Sequence, residues 1–284
     1  MTAIAEVILT GTGYPRPHPE RAGPGALVRC GGYTLQFDAG RATSMRLAAL
    51  GVSCRDLDAV FLSHHHSDHL VGLADIALSR WVALDRDAPD TPLRVVAPAG
   101  PAARFATTLL DPFVDDIAVR KSQTGRSTSP EVRCLTFEPG RRPSRVWENG
   151  TLGVYAVRVH HEPVEPAVAY RVETPRGNVV ISGDTRPCRE LAEFANGAQV
   201  LVHEVVRGDK VGATASRGIL DYHADARELG SLLAGVEIGT LLLTHLIPAP
   251  DSPAAERALV DEVRQGGYGG EIVVGRDLTR VRLA

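Results

Sequence analysis

One short segment of the chain places three histidines and an aspartate at the spacing of metal ligands, with a fourth histidine between them, within six residues. His64, His66, Asp68 and His69 form the pattern H-x-H-x-D-H, directly after an apolar stretch, residues 58–62. Histidine and carboxylate ligands without a thiolate suit zinc, manganese or iron, and they do not choose among these metals. The apolar stretch predicts a strand, so the cluster would lie on a loop at the carboxyl end of a strand, where α/β proteins usually carry their chemistry. A histidine run alone could be a surface tract.

Further metal-competent side chains follow apolar stretches later in the chain. His160 and His161 end one such stretch, and Asp184, His203 and His245 end three others. Parallel or mixed strands of one sheet bring their ends together, so we expect these groups to converge with the first cluster. This convergence favours a metal site over a surface tract.

The elements that must position these groups alternate between apolar strands and amphipathic helices. This alternation indicates a layered α/β protein with mixed sheets. Strands are predicted near 4–10, 25–30, 33–38, 58–62, 93–97, 131–137, 152–160, 167–174, 178–182, 199–203 and 240–244, and helices near 41–50, 70–84, 101–110, 187–195, 224–234 and 254–265. The arginine-rich stretch 120–150 is interpreted as a solvated loop and hairpin in preference to an anion-steering rim.

Composition narrows the class of protein. The chain has 284 residues, is 44% hydrophobic and carries a net charge of −3, which argues against a constitutive polyanion binder. Metal-competent groups spread over much of the chain must meet at one site, so we expect a single domain, residues 1–284. No apolar stretch reaches the roughly 18 residues of a membrane span. Four cysteines without a C-x-x-C pattern and the lack of a signal peptide favour a cytoplasmic protein.

The ordered motifs resemble those of the metallo-β-lactamase superfamily. The resemblance rests on Asp38 in Phe-Asp-Ala-Gly, the 64–69 cluster, His161, Asp184 in Ser-Gly-Asp-Thr and His245 in Leu-Thr-His. The finer pattern is similar to the ribonuclease Z and arylsulfatase-like branch: it comprises Leu9-Thr10-Gly11-Thr12-Gly13, Arg21-Ala22-Gly23-Pro24, the stretch 165–171, and His203-Glu204 before His223. The resemblance implies an αββα sandwich of two mixed β-sheets flanked by helices.

The resemblance also implies a dinuclear site for two divalent cations, zinc by preference, with manganese or iron as alternatives. It assigns one metal to His64, His66 and His161, the other to Asp68, His69 and His245, and a bridging role to Asp184. Two such cations can activate a shared water, which Asp68 would help to orient. Only one of the neighbours His160 and His161 can face the metals, and the motif spacing favours His161.

Three further residues receive supporting or catalytic roles from the resemblance. Asp38 would hold the histidine cluster through hydrogen bonds. His223 would donate a proton to the leaving group, with Glu204 keeping the ring oriented and cationic. The alternative is that His223 merely begins a helix and Glu204 caps a turn, while His203 is structural.

The motifs do not identify the substrate. Ribonucleases of this branch insert a basic arm between the third and fourth motifs, whereas only 22 residues separate His161 from Asp184 here. We therefore expect a phosphodiesterase acting on a small or exposed ester, with a transfer RNA 3′-end endoribonuclease, an arylsulfatase and a lactonase as alternatives. A catalytically silent metal-binding interaction module is the alternative outside the enzymes. The branch also implies a homodimer, and the lack of a long apolar stretch predicts no membrane contact.

Overall fold

The computed structural model describes residues 5–83, 91–211 and 217–283. Its strands form two mixed seven-stranded sheets, in the order β14-β1-β2-β3-β4-β5-β6 and β13-β12-β11-β10-β9-β8-β7. The strands of the first sheet are β1 (Ala5–Gly11), β2 (Gly25–Cys30), β3 (Tyr33–Phe37), β4 (Ala59–Phe61), β5 (Leu93–Pro98), β6 (Val132–Phe137) and β14 (Arg280–Arg282). Those of the second are β7 (Ser144–Asn149), β8 (Leu152–Arg158), β9 (Val168–Thr174), β10 (Gly177–Ile181), β11 (Ala198–Val206), β12 (Ile238–Ile247) and β13 (Glu271–Val274).

Each sheet has a parallel half and an antiparallel half. In the first sheet, β3 to β6 run parallel, and β1 pairs antiparallel with β2 and with β14. In the second sheet, β10 to β13 run parallel, and β7 to β10 form an antiparallel meander. In the parallel half of the second sheet the carboxyl ends of the strands share one edge, which is where metal-competent residues follow them.

The core between the sheets is built from the alternate residues that face inward on both. Phe37 and Phe61 of the first sheet stack with ring centroids 4.7 Å apart, and Tyr170 of the second packs against both. The hydroxyl of Tyr170 donates a hydrogen bond to the carbonyl of Leu62 at 2.6 Å. This bond satisfies a buried polar group and ties the strand before the histidine cluster to the facing sheet.

Helices cover the outer faces of both sheets and bury the other alternate residues. They are α1 (Thr43–Ala49), α2 (Ser67–Leu70), α3 (Leu73–Val82), α4 (Pro101–Thr108), α5 (Val114–Thr124), α6 (Arg189–Ala195), α7 (Ala226–Leu233) and α8 (Pro253–Gln265). One outer core joins α1, α3 and α4 to the first sheet, and another joins α6, α7 and α8 to the second. The αββα sandwich expected from the sequence is confirmed. Among the described residues, no helix combines the length and apolarity needed to cross a bilayer.

Local departures from the predicted elements have identifiable causes. The single helix expected over 70–84 is two helices, α2 and α3, because the chain turns at Gly72 against the carbonyl of Gly40; a Cβ at Gly72 would lie 2.2 Å from that oxygen. The end of that expected helix, Leu84, lies outside the described residues. Helix α5 was missed because it buries none of its residues and so has no apolar face for a pattern to reveal.

Candidate metal centre

The metal-competent residues lie at or just after the carboxyl ends of four strands, at one edge of the sandwich. The 64–69 cluster follows β4 of the first sheet, while His161 follows β8, Asp184 follows β10 and His245 lies near the end of β12 in the second. His245 comes at an irregularity in the pairing of β11 with β12 and has a φ of 45°. Such a bulge re-aims a side chain, here toward the other ligands.

The first group of potential ligands consists of three histidines and an aspartate. One ligand atom from each of His64, His66, His161 and Asp184 lies within 4.8 Å of the others. Nε2 of His161 is 3.1 Å from Nδ1 of His66, and Nε2 of His64 is 3.8 Å from Oδ2 of Asp184. Rings this close, with nitrogens facing one another, fit coordination of a common cation.

The second group consists of Asp68, His69 and His245, again within 4.8 Å. Oδ2 of Asp184 lies 3.2 Å from Nε2 of His69 and 3.4 Å from Nε2 of His245. The same oxygen therefore lies next to both groups, as a bridging carboxylate requires. The structure brings all seven expected ligands together.

Several buried atoms of this cluster lack any hydrogen-bond partner among the described residues. Four of them lie within 4 Å of another ligand atom, namely Nε2 of His64, Nε2 of His69, Nε2 of His245 and Oδ2 of Asp68. A buried polar atom without a partner costs roughly 1–3 kcal/mol, so four of them at one point call for a ligand. The donor set of imidazoles and carboxylates fits one or two divalent cations.

Hydrogen bonds on the far side of the rings fix which nitrogen faces the cluster. Asp38 Oδ2 lies 2.7 Å from Nδ1 of His69, and Ser63 Oγ donates to the same carboxylate at 2.7 Å. Because the Ser63 hydroxyl gives its proton to Asp38, it accepts from Nδ1 of His64 at 2.9 Å. Nδ1 of His161 donates to the carbonyl of Tyr222 at 2.9 Å. All three rings thus present Nε2 to the cluster.

For His64, His66 and Asp184 the electrostatics favour the protonation states that bind metals. Burial and the neighbouring His69 ring lower the pKa of His64 well below its usual value, and burial and His161 lower the pKa of His66 to about 4. Burial alone would raise the pKa of Asp184, but His245 and His69 hold it well below the usual range. Neutral imidazoles beside a carboxylate are the forms in which these groups bind cations. At His69, burial alone would lower the pKa, but the carboxylates of Asp184 and Asp38 raise it well above its usual value, so a cation bound there would displace a proton.

Glu204 and His223 lie at the same edge and contact each other. Oε1 of Glu204 accepts from Nδ1 of His223 at 2.7 Å and from the backbone N–H of Thr185 at 2.8 Å. Burial alone would lower the pKa of His223, but the Glu204 carboxylate raises it to about 9. The ring of His223 stacks on that of His245 at 5.3 Å between centroids, so it lies next to the metal groups. A cationic imidazole at this place can deliver a proton.

Three other histidines singled out by the sequence lie apart from the two groups. His160 contacts Glu162, with Nδ1 and Oε1 3.0 Å apart. His65 stands beside the cluster but in neither group of ligands. His203 is buried, and its Nδ1 donates to the carbonyl of Glu204 at 2.6 Å, a structural bond.

The site also includes residues that no sequence pattern indicated. Tyr14, Arg16, Lys210 and Tyr222 line the open space above the ligands. None of them stands in the quoted motifs, and the loops that carry them show no periodicity. Ser63 could have been noticed, because it immediately precedes His64 and has a hydroxyl.

Comparison with known proteins gives a family and several relatives. The model of the beta-lactamase superfamily domain matches residues 33–246. A protein from Mycobacterium bovis named "Ribonuclease Z" is 36% identical over 288 aligned positions, which cover 99% of this chain and 99% of that protein. Among solved structures, the metallo-beta-lactamase fold protein YhfI from Bacillus subtilis is 20% identical, with a TM-score of 0.75 over 99% of this chain and all of the other. The short form of human tRNase Z is 17% identical, with a TM-score of 0.68 over 98% of this chain and 99% of the other.

Proposed function

The chain belongs to the metallo-β-lactamase superfamily, in its ribonuclease Z branch, and we propose that it is an endoribonuclease that cleaves transfer RNA precursors at their 3′ ends. As a member of this branch it is a metal-dependent hydrolase of phosphoester bonds. The observation that carries the proposal is the 36% identity to a ribonuclease Z over 99% of both chains. The assembled groups of potential ligands with the adjoining His223 support it.

This proposal replaces the small phosphodiester expected from the sequence with a transfer RNA precursor as the substrate. A small phosphodiester was preferred because the chain has no room for a protruding arm between His161 and Asp184. The structure has only the hairpin of β9 and β10 there. However, 288 aligned positions that cover 99% of both chains leave room for only a few inserted residues in the relative. The short hairpin therefore does not separate this chain from proteins named ribonuclease Z, and the alternative becomes our proposal.

Two divalent cations are part of the proposal, with zinc preferred and manganese or iron as alternatives. His64, His66 and His161 would hold one, Asp68, His69 and His245 the other, and Asp184 both. When bound, such a pair activates water and stabilises the charge that develops on the phosphate. The chain itself holds three of the five ligand rings in one tautomer, through Asp38, Ser63 and the Tyr222 carbonyl.

The leaving oxygen needs a proton, and His223 is placed to give it. Glu204 binds Nδ1 of the ring, so Nε2 is the atom left to carry the transferred proton. Thr185 donates its N–H to the same Glu204 oxygen and keeps the carboxylate in place. Asp68 borders the open space above the ligands, where it can orient the attacking water. Proton delivery of this kind contributes about 10²–10⁴-fold to catalysis.

Two expectations on organisation stay proposals. We propose that residues 1–284 form one domain, since both sheets contribute to one core and to one group of ligands. The homodimer implied by the branch stays a prediction, which sedimentation of the purified protein would test.

The decisive experiment offers the metal-loaded protein two substrates. One is a transfer RNA precursor with a 3′ trailer, and the other is bis(p-nitrophenyl) phosphate. We expect endonucleolytic cleavage at the boundary of the mature RNA, with the product end mapped by sequencing. Hydrolysis of the aryl diester without cleavage of the precursor would reject the transfer RNA proposal and restore a small phosphodiester as the substrate.

A further inference from the structure

An open cavity of about 460 Å³ lies directly above the potential metal ligands. Its floor includes His66, Asp68, Asp184, His223 and His245. The volume lies within the range of about 300–1,000 Å³ that is usual for ligand pockets. A scissile phosphate at the floor would therefore have space beside it for parts of the chain to which it belongs.

Two cationic side chains line this cavity. Arg16 is exposed, and among the described residues it has no carboxylate within 4 Å. Lys210 is also exposed, and its Nζ lies 3.5 Å from Asp209, a contact that water weakens. Both charges remain available to an anion. In the 120–150 stretch, Arg120, Arg133 and Arg145 each have a carboxylate within 4 Å, in ion pairs that are also exposed, and these arginines do not line the cavity.

The remaining wall is aromatic and aliphatic. Tyr14 and Tyr222, both half-buried, line the cavity together with Ile219, Ile247 and Pro248. Hydrolysis of a bare phosphodiester does not require such a wall. An unpaired base, however, stacks on aromatic side chains with a gain of about 1–3 kcal/mol, whatever its identity.

The loop that carries Tyr14 and Arg16 is held in place by a distant residue. Asp277 accepts hydrogen bonds from the N–H of Thr12 at 3.0 Å, its hydroxyl at 2.8 Å, and the N–H of Ala22 at 2.7 Å. Arg46 completes the network with an ion pair of 2.9 Å to the same carboxylate. Asp277 therefore fixes both ends of the loop, which places Tyr14 and Arg16 at the cavity above the ligands.

We propose that this cavity is a nucleotide subsite, in which Arg16 and Lys210 bind phosphates next to the scissile one and Tyr14 stacks on an adjoining base. The inference rests on the proposed ribonuclease function. Close to the scissile bond, these contacts would hold the RNA in a chain that has no protruding arm. Phosphates bound by cations position an RNA without reading its sequence, and an apolar ring accepts any base. The subsite therefore places the RNA irrespective of its sequence.

The phosphate contacts are tested by the salt dependence of precursor cleavage. For Arg16→Ala and Lys210→Ala, kcat/KM should fall at low salt. The slope of log kcat/KM against log salt concentration should become shallower by about 0.7–0.9 for each phosphate that the variant no longer binds. Arg257→Ala is the matched control, an exposed arginine on α8 that does not line the cavity, and it should keep the wild-type slope. Unchanged slopes in both cavity variants would overturn the phosphate contacts.

The stacking contact is tested by a double substitution in protein and RNA. Tyr14→Ala should lower kcat/KM on the intact precursor by about 5- to 150-fold, whereas Tyr14→Phe keeps the ring and should lose little. Precursors with an abasic nucleotide on either side of the scissile bond remove the base instead. With one of them, the decrease caused by Tyr14→Ala should nearly vanish, because the partner is already gone. An equal decrease on all three RNAs would reject stacking.

The outcomes separate this inference from the function on which it rests. If the wild-type protein hydrolyses the aryl diester but leaves the precursor intact, the ribonuclease proposal fails. If the wild-type protein cleaves the precursor while the cavity variants behave like Arg257→Ala, the ribonuclease proposal stands and the subsite is wrong. Metal content and thermal unfolding of each variant show whether a decrease reflects misfolding.

Discussion

Glu204 lies 2.7 Å from Nδ1 of His223, and a backbone N–H holds the same carboxylate oxygen in place. Both side chains are buried, so the ion pair is shielded from solvent. Burial lowers the pKa of His223, yet the carboxylate raises it to about 9, and the ring carries a proton at neutral pH. The pair has the properties of a proton donor and the residue that positions it.

His223→Ala should slow poor leaving groups far more than activated aryl esters. A ribose oxygen needs a proton in order to leave, whereas p-nitrophenolate does not, so the decrease should approach about 10²–10⁴-fold only for RNA. The ratio of kcat values for the precursor and for bis(p-nitrophenyl) phosphate measures this selectivity. Glu204→Gln should show the same selectivity in milder form. Equal decreases on both substrates would remove His223 from proton transfer.

The metal centre should bind two divalent cations per chain. Elemental analysis after dialysis against zinc or manganese should give this ratio, and a chelator should abolish hydrolysis of both substrates. His66→Ala removes a ligand from the first group only. The variant should therefore bind less metal and lose most of its activity. A full complement of metal in His66→Ala, or none in the repleted wild-type protein, would contradict the assignment.

Asp38 should influence metal affinity without contacting the metals. Asp38→Asn weakens the bond to Nδ1 of His69 and the support of Ser63, and removal of such partners typically costs about 10–100-fold in affinity or activity. Asp58→Asn is a matched control, because that carboxylate accepts the backbone N–H of Thr34 at 2.8 Å away from the ligand groups. Competition with a chromogenic chelator measures both affinities. A similar decrease for the two variants would indicate a general effect on folding.

Neutralising the arginine-rich stretch should have little effect on RNA cleavage. Arg145 pairs with Glu148, and Arg141 lines a separate surface pocket with Glu190 and Glu193. The neighbouring carboxylates partly neutralise the charges of Arg141 and Arg145. The triple variant Arg141→Ala, Arg142→Ala, Arg145→Ala should therefore keep the wild-type salt slope of precursor cleavage. A slope shallower by about 2, as expected if the three arginines bound three phosphates, would restore the stretch as an RNA-binding rim.

Asp277→Ala should destabilise the protein and impair the use of RNA. Hydrogen bonds to a charged group contribute about 1.5–3 kcal/mol each, and Asp277 accepts the three described above, so the free energy of unfolding should decrease by about 4 kcal/mol or more. The loop with Tyr14 and Arg16 loses its attachment, and KM for the precursor should rise. Urea unfolding and a KM-against-kcat comparison measure the two effects. A large decrease in stability with an unchanged KM would show that other contacts position the loop.

Local pattern explains why the ligands were predictable. His64, Asp184 and His245 each follow a short run of apolar residues that is typical of a buried strand, and the ends of such strands meet at one edge. The choice of His161 over its neighbour agrees with the placement of His161 in the first group, while His160 contacts Glu162. The family resemblance supplied the pairing of ligands with metals, which spacing alone does not contain.

Contacts between distant parts of the chain account for what the sequence did not reveal. Nothing near Asp277 indicates that it binds Thr12, because the two residues lie 265 positions apart. Strand β14 is three residues long, too short for an alternation to be visible, although it pairs with β1. Arg16 and Lys210 stand in irregular loops, and only the fold brings them over the same cavity.

The attachment of the 12–22 loop by Asp277 also has a consequence for protein synthesis. All seven expected ligands have emerged from the ribosome once His245 has, whereas Asp277 and strand β14, one of the two partners of β1, appear later. The potential metal ligands of a nascent chain are thus complete before Asp277 attaches the loop with Arg16 above them. The 12–22 loop is therefore one of the last parts of the chain to reach its final position, after all the potential metal ligands have been synthesised.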